Sequence, residues 1–111
     1  MPGNEPRRPR GLQSGGRRLW GAVTGAYVLR EDEAVLLGQA CRVVDRLDWL
    51  AGQVEADGLM VDGRPHAALV ESRLQAIVLA RLLAALRLPD EAGQQPQRRS
   101  ARGVYRLRSV Q

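Results

Sequence analysis

The chain has 111 residues and a formal net charge of +5, and its 17 basic residues are all arginine, against 12 acidic residues. A chain of this length forms one domain at most. Cys41 is the only cysteine, which excludes an intrachain disulfide and a cysteine-based zinc site. The absence of lysine excludes the lysine-bearing phosphate loop of P-loop ATPases within this chain.

The positive charge is concentrated at the two ends of the chain. Residues 1–18 hold five arginines and one acid, and residues 89–111 hold five arginines and two acids, which gives net charges of +4 and +3. Residues 19–88 hold seven arginines and nine acids, a net charge of −2. Flexible basic ends on a slightly acidic body are typical of binding to a polyanion, above all DNA or RNA phosphate. The alternative is that these ends only keep a small protein in solution.

In chain order, the first predicted element is a disordered basic arm over residues 1–16. Its composition favours neither helix nor strand, because it is rich in proline and glycine: Pro2, Pro6, Pro9, Gly3, Gly11, Gly15 and Gly16. A short first helix is predicted over about residues 17–28, where apolar residues such as Leu19, Trp20 and Val23 recur. Two glycines in this stretch weaken the helix.

A long second helix is predicted over residues 31–57. Three acidic residues at its start suit the positive end of the helix macrodipole, and Gly58 is predicted to end the helix in a left-handed conformation. Apolar residues recur at alternating spacings of four and three, which predicts a heptad seam packed on another helix: Leu36, Ala40, Val43, Leu47, Leu50 and Val54.

Polar residues and the single cysteine of this second helix carry two further expectations. Asp45 and Asp48 lie one turn apart, with Arg42 and Arg46 at helical spacing from them, which predicts a solvated face of ion pairs. Cys41 is predicted to be a small buried apolar residue.

A third helix is predicted over about residues 66–87, after a compact turn at residues 59–65. Asp62-Gly63 between short extended pieces predicts a tight β-hairpin turn, and Pro65 immediately precedes the helix. So short a connection makes the second and third helices antiparallel neighbours. The remaining residues, 89–111, are predicted to be a basic tail that becomes ordered on DNA.

The third helix is apolar around its whole circumference between Ala76 and Leu86, where Arg81 is the only polar residue. A two-helix hairpin buries one stripe of each helix, so the remaining apolar surface predicts a homo-oligomer. Five residues are the predicted oligomer interface: Ile77, Leu79, Leu82, Leu83 and Leu86. The alternative is that the first helix covers this surface within one chain.

No residue pattern indicates an enzyme, a cofactor or a metal site. His66 is the only histidine, and its place at a helix start favours a helix-entry residue over a metal ligand or general base. Arg17-Arg18 precedes an apolar run that lacks a signal-peptide cleavage site. The apolar stretch of the third helix is shorter than the roughly 20 residues of a membrane span. The chain is therefore expected to be intracellular, with no membrane and no small-molecule substrate as partner.

Taken together, residues of about 17–105 resemble the small terminase subunits of tailed bacteriophages, in the branch that packages DNA with cohesive ends. The resemblance lies in the order and spacing of several short segments: Leu19-Trp20, Cys41-Arg42, Asp45-Arg46-Leu47-Asp48, Gly58, Asp62-Gly63-Arg64-Pro65-His66, Leu86-Arg87-Leu88-Pro89 and Gln97-Arg98-Arg99-Ser100-Ala101-Arg102-Gly103. A separate helix-turn-helix domain, which many small terminases have, is not evident here.

The resemblance implies a non-catalytic subunit that recognises viral double-stranded DNA in the host cytoplasm and presents it to the large terminase subunit. It implies an all-α fold, with a helical hairpin assembling side by side into a head-to-tail ring of about nine chains. The basic ends then supply the DNA contacts: Arg7, Arg8, Arg10, Arg17, Arg18, Arg98, Arg99, Arg102, Arg106 and Arg108. Among them, Arg98, Arg99 and Arg102 are predicted to include a reader of bases.

Two other functions fit parts of the sequence. The first is a small DNA-binding transcriptional regulator whose helix-turn-helix begins near Arg17, although the uninterrupted second helix is longer than such a unit uses. The second is a structural oligomer that makes no nucleic-acid contact.

Overall fold

The computed structural model describes residues 6–89. It contains three helices, α1 (Ser14–Ala26), α2 (Glu31–Asp57) and α3 (Ala67–Leu86), with two short strands, β1 (Met60–Val61) and β2 (Arg64–Pro65), between α2 and α3. The predicted mainly helical class and the helical hairpin are confirmed, and α2 has the predicted bounds. The predicted basic tail lies outside the described residues, apart from Pro89.

Helix α2 is the central element and contacts both other helices. Its predicted heptad seam is buried or half-buried along its whole length, with Ala40, Val43 and Leu50 buried. At the start of α2 the Arg30 backbone N–H donates a hydrogen bond to Glu33 Oε1 at 2.8 Å. The acidic first turn therefore caps the helix in addition to favouring its macrodipole.

Helix α1 packs across the first half of α2 and closes the hydrophobic core. Trp20 and Val23 from α1 share one buried cluster with Leu37 and Cys41 from α2. Cys41 is fully buried, as the sequence predicted. At the other end of the cluster, the Tyr27 hydroxyl donates to the Pro89 carbonyl at 3.0 Å, which holds the end of α3 against the α1–α2 connection.

The segment before α1 differs from the disordered arm predicted over residues 1–16. Leu12 is only 4% exposed, and the helix begins at Ser14, within the predicted arm. Gly16 explains the difference, because a Cβ built there would lie 2.8 Å from the Cys41 carbonyl oxygen and 2.5 Å from Asp45 Oδ2. Glycine at this position therefore allows α1 to approach α2 closely, instead of breaking the helix.

Asp45 caps the start of α1 from the side of α2. Its Oδ2 accepts the Gln13 backbone N–H and its Oδ1 accepts the Gly16 backbone N–H, both at 2.7 Å. These N–H groups belong to the first turn of α1, where no carbonyl of the same helix is available. The predicted ion-pair face is therefore wrong for Asp45, since its carboxylate accepts hydrogen bonds from backbone N–H groups. Arg46 does not pair with an acid of residues 6–89 either, and instead donates to Gln75 on α3 at 3.1 Å.

The connection between α2 and α3 is the predicted tight hairpin. Met60 pairs with Pro65 and Val61 with Arg64 in antiparallel register. The two turn residues, Asp62 and Gly63, have φ angles of 52° and 78°, which is the signature of a type I′ turn. Gly58 has the positive φ expected at the end of α2, but its ψ of 163° is extended and lies outside the left-handed helical region.

His66 is the N-cap of α3, as its position predicted. Its Nδ1 accepts the Ala68 backbone N–H at 3.0 Å, and its Nε2 lies 2.9 Å from Asp57 Oδ2 at the end of α2. Because Nδ1 accepts, Nε2 carries the hydrogen and donates to the carboxylate. One side chain thus links the end of α2 to the start of α3.

Candidate nucleic-acid interface and apolar helix face

Five arginines lie close together in sequence around the start of α1, in a segment here called the basic turn (residues 7–18). All five side chains are exposed, as their predicted role in DNA contact requires: Arg7, Arg8, Arg10, Arg17 and Arg18. Arg7 and Arg8 lie in irregular backbone and Arg10 lies in a turn, whereas Arg17 and Arg18 lie near the start of α1. The structure therefore brings together half of the predicted DNA-contacting arginines.

The basic turn is held on α2 by several independent contacts. Leu12 is buried in the core, and Pro9 Cγ lies 3.1 Å from the position that a Cβ of Gly38 would take. The Arg17 guanidinium donates to the Leu12 carbonyl, which closes the chain on itself before α1. These contacts give the arginines of the turn fixed positions on the protein, where the sequence predicted a free arm.

The arginines of the basic turn have no acidic partner in the part of the chain that the structure describes. Within residues 6–89, Arg30 is the only arginine whose guanidinium lies within 4.0 Å of a carboxylate, and its partners are Asp32 at 3.1 Å and Glu33 at 3.5 Å. The hydrogen bond from Arg30 lowers the pKa of Asp32. No other guanidinium within these residues has a carboxylate within 4.0 Å.

The N-terminus of α1 does not itself offer an anion site. Helix N-termini bind phosphate through free backbone N–H groups, but here Asp45 already accepts two of the N–H groups. A phosphate at this position would also meet the negative charge of that carboxylate. The arginine side chains are therefore the candidate phosphate ligands in this region.

A cleft of about 470 Å³ separates the basic turn from the start of α2. Arg7 and Arg42 both line it, together with Gln39, Glu31 and Trp20. Arg42 was predicted to take part in an ion pair, and the sequence did not indicate it as a candidate for DNA contact. Arg42 lies beside the basic turn because residues 6–9 are placed on α2. That placement depends on the close approach of α1 to α2 at Gly16, so the sequence alone does not reveal it.

The other predicted DNA-contacting arginines lie outside the described residues. These are the five arginines of the C-terminal tail: Arg98, Arg99, Arg102, Arg106 and Arg108. The hypothesis that Arg98, Arg99 and Arg102 include a reader of bases therefore stays a prediction.

Helix α3 has one face packed on α2 and another face that is exposed. Every residue of the inner face is buried or half-buried: Ala68, Ser72, Gln75, Leu79, Leu82 and Leu86. Outside this inner face, Val70 is 50% exposed, Leu74 49%, Ile77 43% and Val78 40%. The expectation that a hairpin leaves apolar surface on α3 is confirmed for this chain.

The five residues predicted to form the oligomer interface do not share one surface. Ile77 lies on the exposed face, whereas Leu79 and Leu82 lie on the inner face. Leu86 is 1% exposed and belongs to the core cluster with Tyr27, so the prediction that it contacts another chain is wrong. The physical reason is that the α1–α2 connection folds over the end of α3.

Helix α1 covers only part of the apolar surface of α3. Leu79 and Leu83 line an open groove of about 370 Å³ together with Leu19 and Ala22 of α1 and Val44 of α2. The alternative prediction, in which the first helix covers α3, therefore does not hold for Leu74, Ile77 and Val78, which are exposed.

The buried thiol of Cys41 is expected to be unreactive in the folded chain. Burial, and after it the negative charge of Asp45, raises the pKa of Cys41 to about 11. At pH 8 the thiolate fraction is then about 100-fold lower than for a thiol in the unfolded chain. We expect Ellman's reagent to label Cys41 slowly in buffer and rapidly in urea. Equal labelling rates in both conditions would contradict the packing of α1 over this residue.

Within residues 6–89, no group of three His, Cys, Asp or Glu side chains is arranged to hold a metal ion. In the same residues no helix combines the length and the apolarity that crossing a bilayer requires. Comparison with protein-family models, curated proteins and solved structures finds no match for this chain.

Proposed function

We propose that this protein is a non-catalytic, homo-oligomeric DNA-recognition subunit of a phage terminase, which binds viral double-stranded DNA and presents it to the large terminase subunit. The observation that carries the proposal is the basic turn, with its exposed arginines placed on a folded helical body and unpaired with acids within residues 6–89. The resemblance of the sequence to small terminase subunits supplies the biological role.

The arrangement of the basic turn favours contact with the phosphate backbone. Guanidinium groups at fixed positions form paired hydrogen bonds to phosphate oxygens and lose less conformational freedom on binding than a free arm would. Arg7 and Arg42 line one cleft, so we place both on one strand of the duplex. Phosphate contacts position the protein on the duplex without reading its sequence. Base reading is then left to the C-terminal arginines.

The second candidate function is a structural oligomer without nucleic-acid contact, and the exposed apolar face of α3 favours it. Binding to DNA distinguishes the two. A fluorescently labelled duplex titrated with the full chain at low salt is expected to show an anisotropy increase, and the affinity is expected to fall steeply as salt is raised. The absence of binding at low salt would contradict the proposed function and leave the structural oligomer.

A further inference from the structure

The exposed face of α3 carries a regular stripe of six residues. Ala67, Glu71, Leu74, Val78, Arg81 and Ala85 follow one another at spacings of four, three, four, three and four, and all six are exposed. Residues at these spacings lie on one side of a helix, and the stripe is about 27 Å long at 1.5 Å per residue. It is a second heptad seam, turned about 100° around the helix axis from the face that packs on α2.

This stripe is complementary to itself when its direction is reversed. A two-fold axis placed at the level of residue 76 brings Leu74 opposite Val78, and Glu71 opposite Arg81, of a second copy. The same axis brings the small residues Ala67 and Ala85 together, which allows the two helices to approach closely at both ends. One register therefore satisfies the apolar, the charged and the small positions at once.

We propose that a second copy of this chain docks on α3 in antiparallel orientation about this two-fold axis. The contact is isologous, so each chain contributes the same stripe and every pair occurs twice. Leu74 and Val78 form the apolar centre, and Ile77 flanks it. The ion pairs between Glu71 and Arg81 lie in the same seam on both sides of that centre, and they set the register as polar residues within a coiled-coil seam do.

The charges of α3 favour a second copy of the chain over another partner. Arg81 is the only polar residue in the apolar stretch from Ala76 to Leu86, and no carboxylate within residues 6–89 pairs with it. Burying an unpaired guanidinium in an apolar contact costs several kcal/mol, so the partner must present an acid at this point. Glu71 is the one acid on α3, and only one of its oxygens accepts a bond, from Gln75 at 2.8 Å.

Other registers of the same two helices lose these pairs. A shift by one heptad in either direction places Glu71 opposite Leu74, or Arg81 opposite Val78, and leaves the opposite charge without a partner. A parallel pair aligned at the same level places Glu71 against Glu71 and Arg81 against Arg81, which is repulsive. The antiparallel pair centred on residue 76 is therefore the register that the residues favour.

The inference goes beyond the proposed function and does not depend on DNA binding. It differs in symmetry from the head-to-tail ring that the resemblance implies, because a two-fold contact uses chains in pairs and closes at two. A larger assembly built on it needs a second contact, for which the groove between α1 and α3 is free in the single chain.

A charge-swap series on the full chain tests the proposal. Glu71→Arg alone and Arg81→Glu alone each place like charges opposite each other, and each is expected to raise the dissociation constant of the dimer about tenfold or more, which corresponds to about 1.4 kcal/mol. The double variant, Glu71→Arg with Arg81→Glu, restores the opposite charges and is expected to recover dimerisation to within about threefold. Native mass spectrometry and analytical ultracentrifugation read the assembly, and far-UV circular dichroism checks that each variant is folded.

Three outcomes would overturn the proposal: a monomeric wild-type chain, an assembly with an odd number of chains, or a double variant whose defect is the sum of the two single defects. Because α3 carries neither Arg8 nor Arg10, duplex binding measured on the same samples separates this result from the proposed function. A dimer that binds no DNA contradicts only the proposed function, and a monomer that binds DNA contradicts only the proposed dimer.

Discussion

Replacing Gly16 by alanine is expected to lower the free energy of unfolding by about 2 kcal/mol, because the added methyl group overpacks a contact that cannot relax easily. Its carbon would lie 2.8 Å from the Cys41 carbonyl oxygen, and this oxygen belongs to the backbone of α2. Helix α1 must then move away, which also weakens the hydrogen bond from Gly16 N–H to Asp45. Urea denaturation followed by circular dichroism at one fixed protein concentration measures the loss.

The matched control for this substitution is Gly21→Ala on the same helix. A Cβ at Gly21 meets nothing within 4 Å, and alanine is favoured over glycine inside a helix by about 0.5–1 kcal/mol. The control variant is therefore expected to be more stable than the wild-type chain. If Gly16→Ala raises the unfolding midpoint as Gly21→Ala does, the close approach of α1 to α2 is not a feature of the folded protein.

Replacing Asp45 by alanine is expected to lower the free energy of unfolding by about 2 kcal/mol, since two backbone N–H groups at the start of α1 lose their acceptor at once. Asp45→Asn keeps one side-chain oxygen and is expected to lose less. The matched control is Glu55→Ala, which removes the same charge from an exposed position of the same helix and is expected to change stability by less than about 0.5 kcal/mol.

The Asp45 variants also link stability to the proposed interface. If the carboxylate positions the basic turn, Asp45→Ala is expected to weaken duplex binding even though it removes a negative charge, which by itself would strengthen attraction to DNA. An Asp45→Ala chain that binds the duplex more tightly than the wild type, with unchanged stability, would show that the carboxylate does not hold the turn.

The sequence predicted the elements that depend on local patterns and missed those that depend on contacts between elements. The bounds of α2 and the type of turn at Asp62-Gly63 follow from charge, heptad spacing and backbone preference, all of which act within a few residues. The start of α1 was missed because glycine serves both flexible segments and close helix contacts. The carbonyl of Cys41 and the carboxylate of Asp45, roughly 30 residues further on, decide which applies at Gly16.

The candidate sites show the same division. Exposed arginines and an apolar surface on α3 could be predicted, because the charge of the chain and the order of its apolar residues require both. Which side chains share a surface could not be predicted. Leu86 is buried in the core cluster with Tyr27 and so leaves the predicted interface. Arg42 lines the cleft beside the basic turn because of the path of residues 6–9. The adjacent glycines Gly15 and Gly16, which lie in the first turn of α1, were the one available signal for that path.

The central claim is that the arginines of the basic turn bind DNA phosphate, and the salt dependence of duplex binding tests it most directly. The pair variant Arg8→Ala with Arg10→Ala is compared with Arg64→Ala with Arg73→Ala, because all four side chains are exposed and each pair removes the same charge. Each lost phosphate contact lowers the slope of log affinity against log salt by about 0.9. The first pair is therefore expected to lower the slope by about two per chain engaged and the second to leave it unchanged. Equal slopes for both pairs and the wild-type chain would contradict the assignment of the basic turn to DNA.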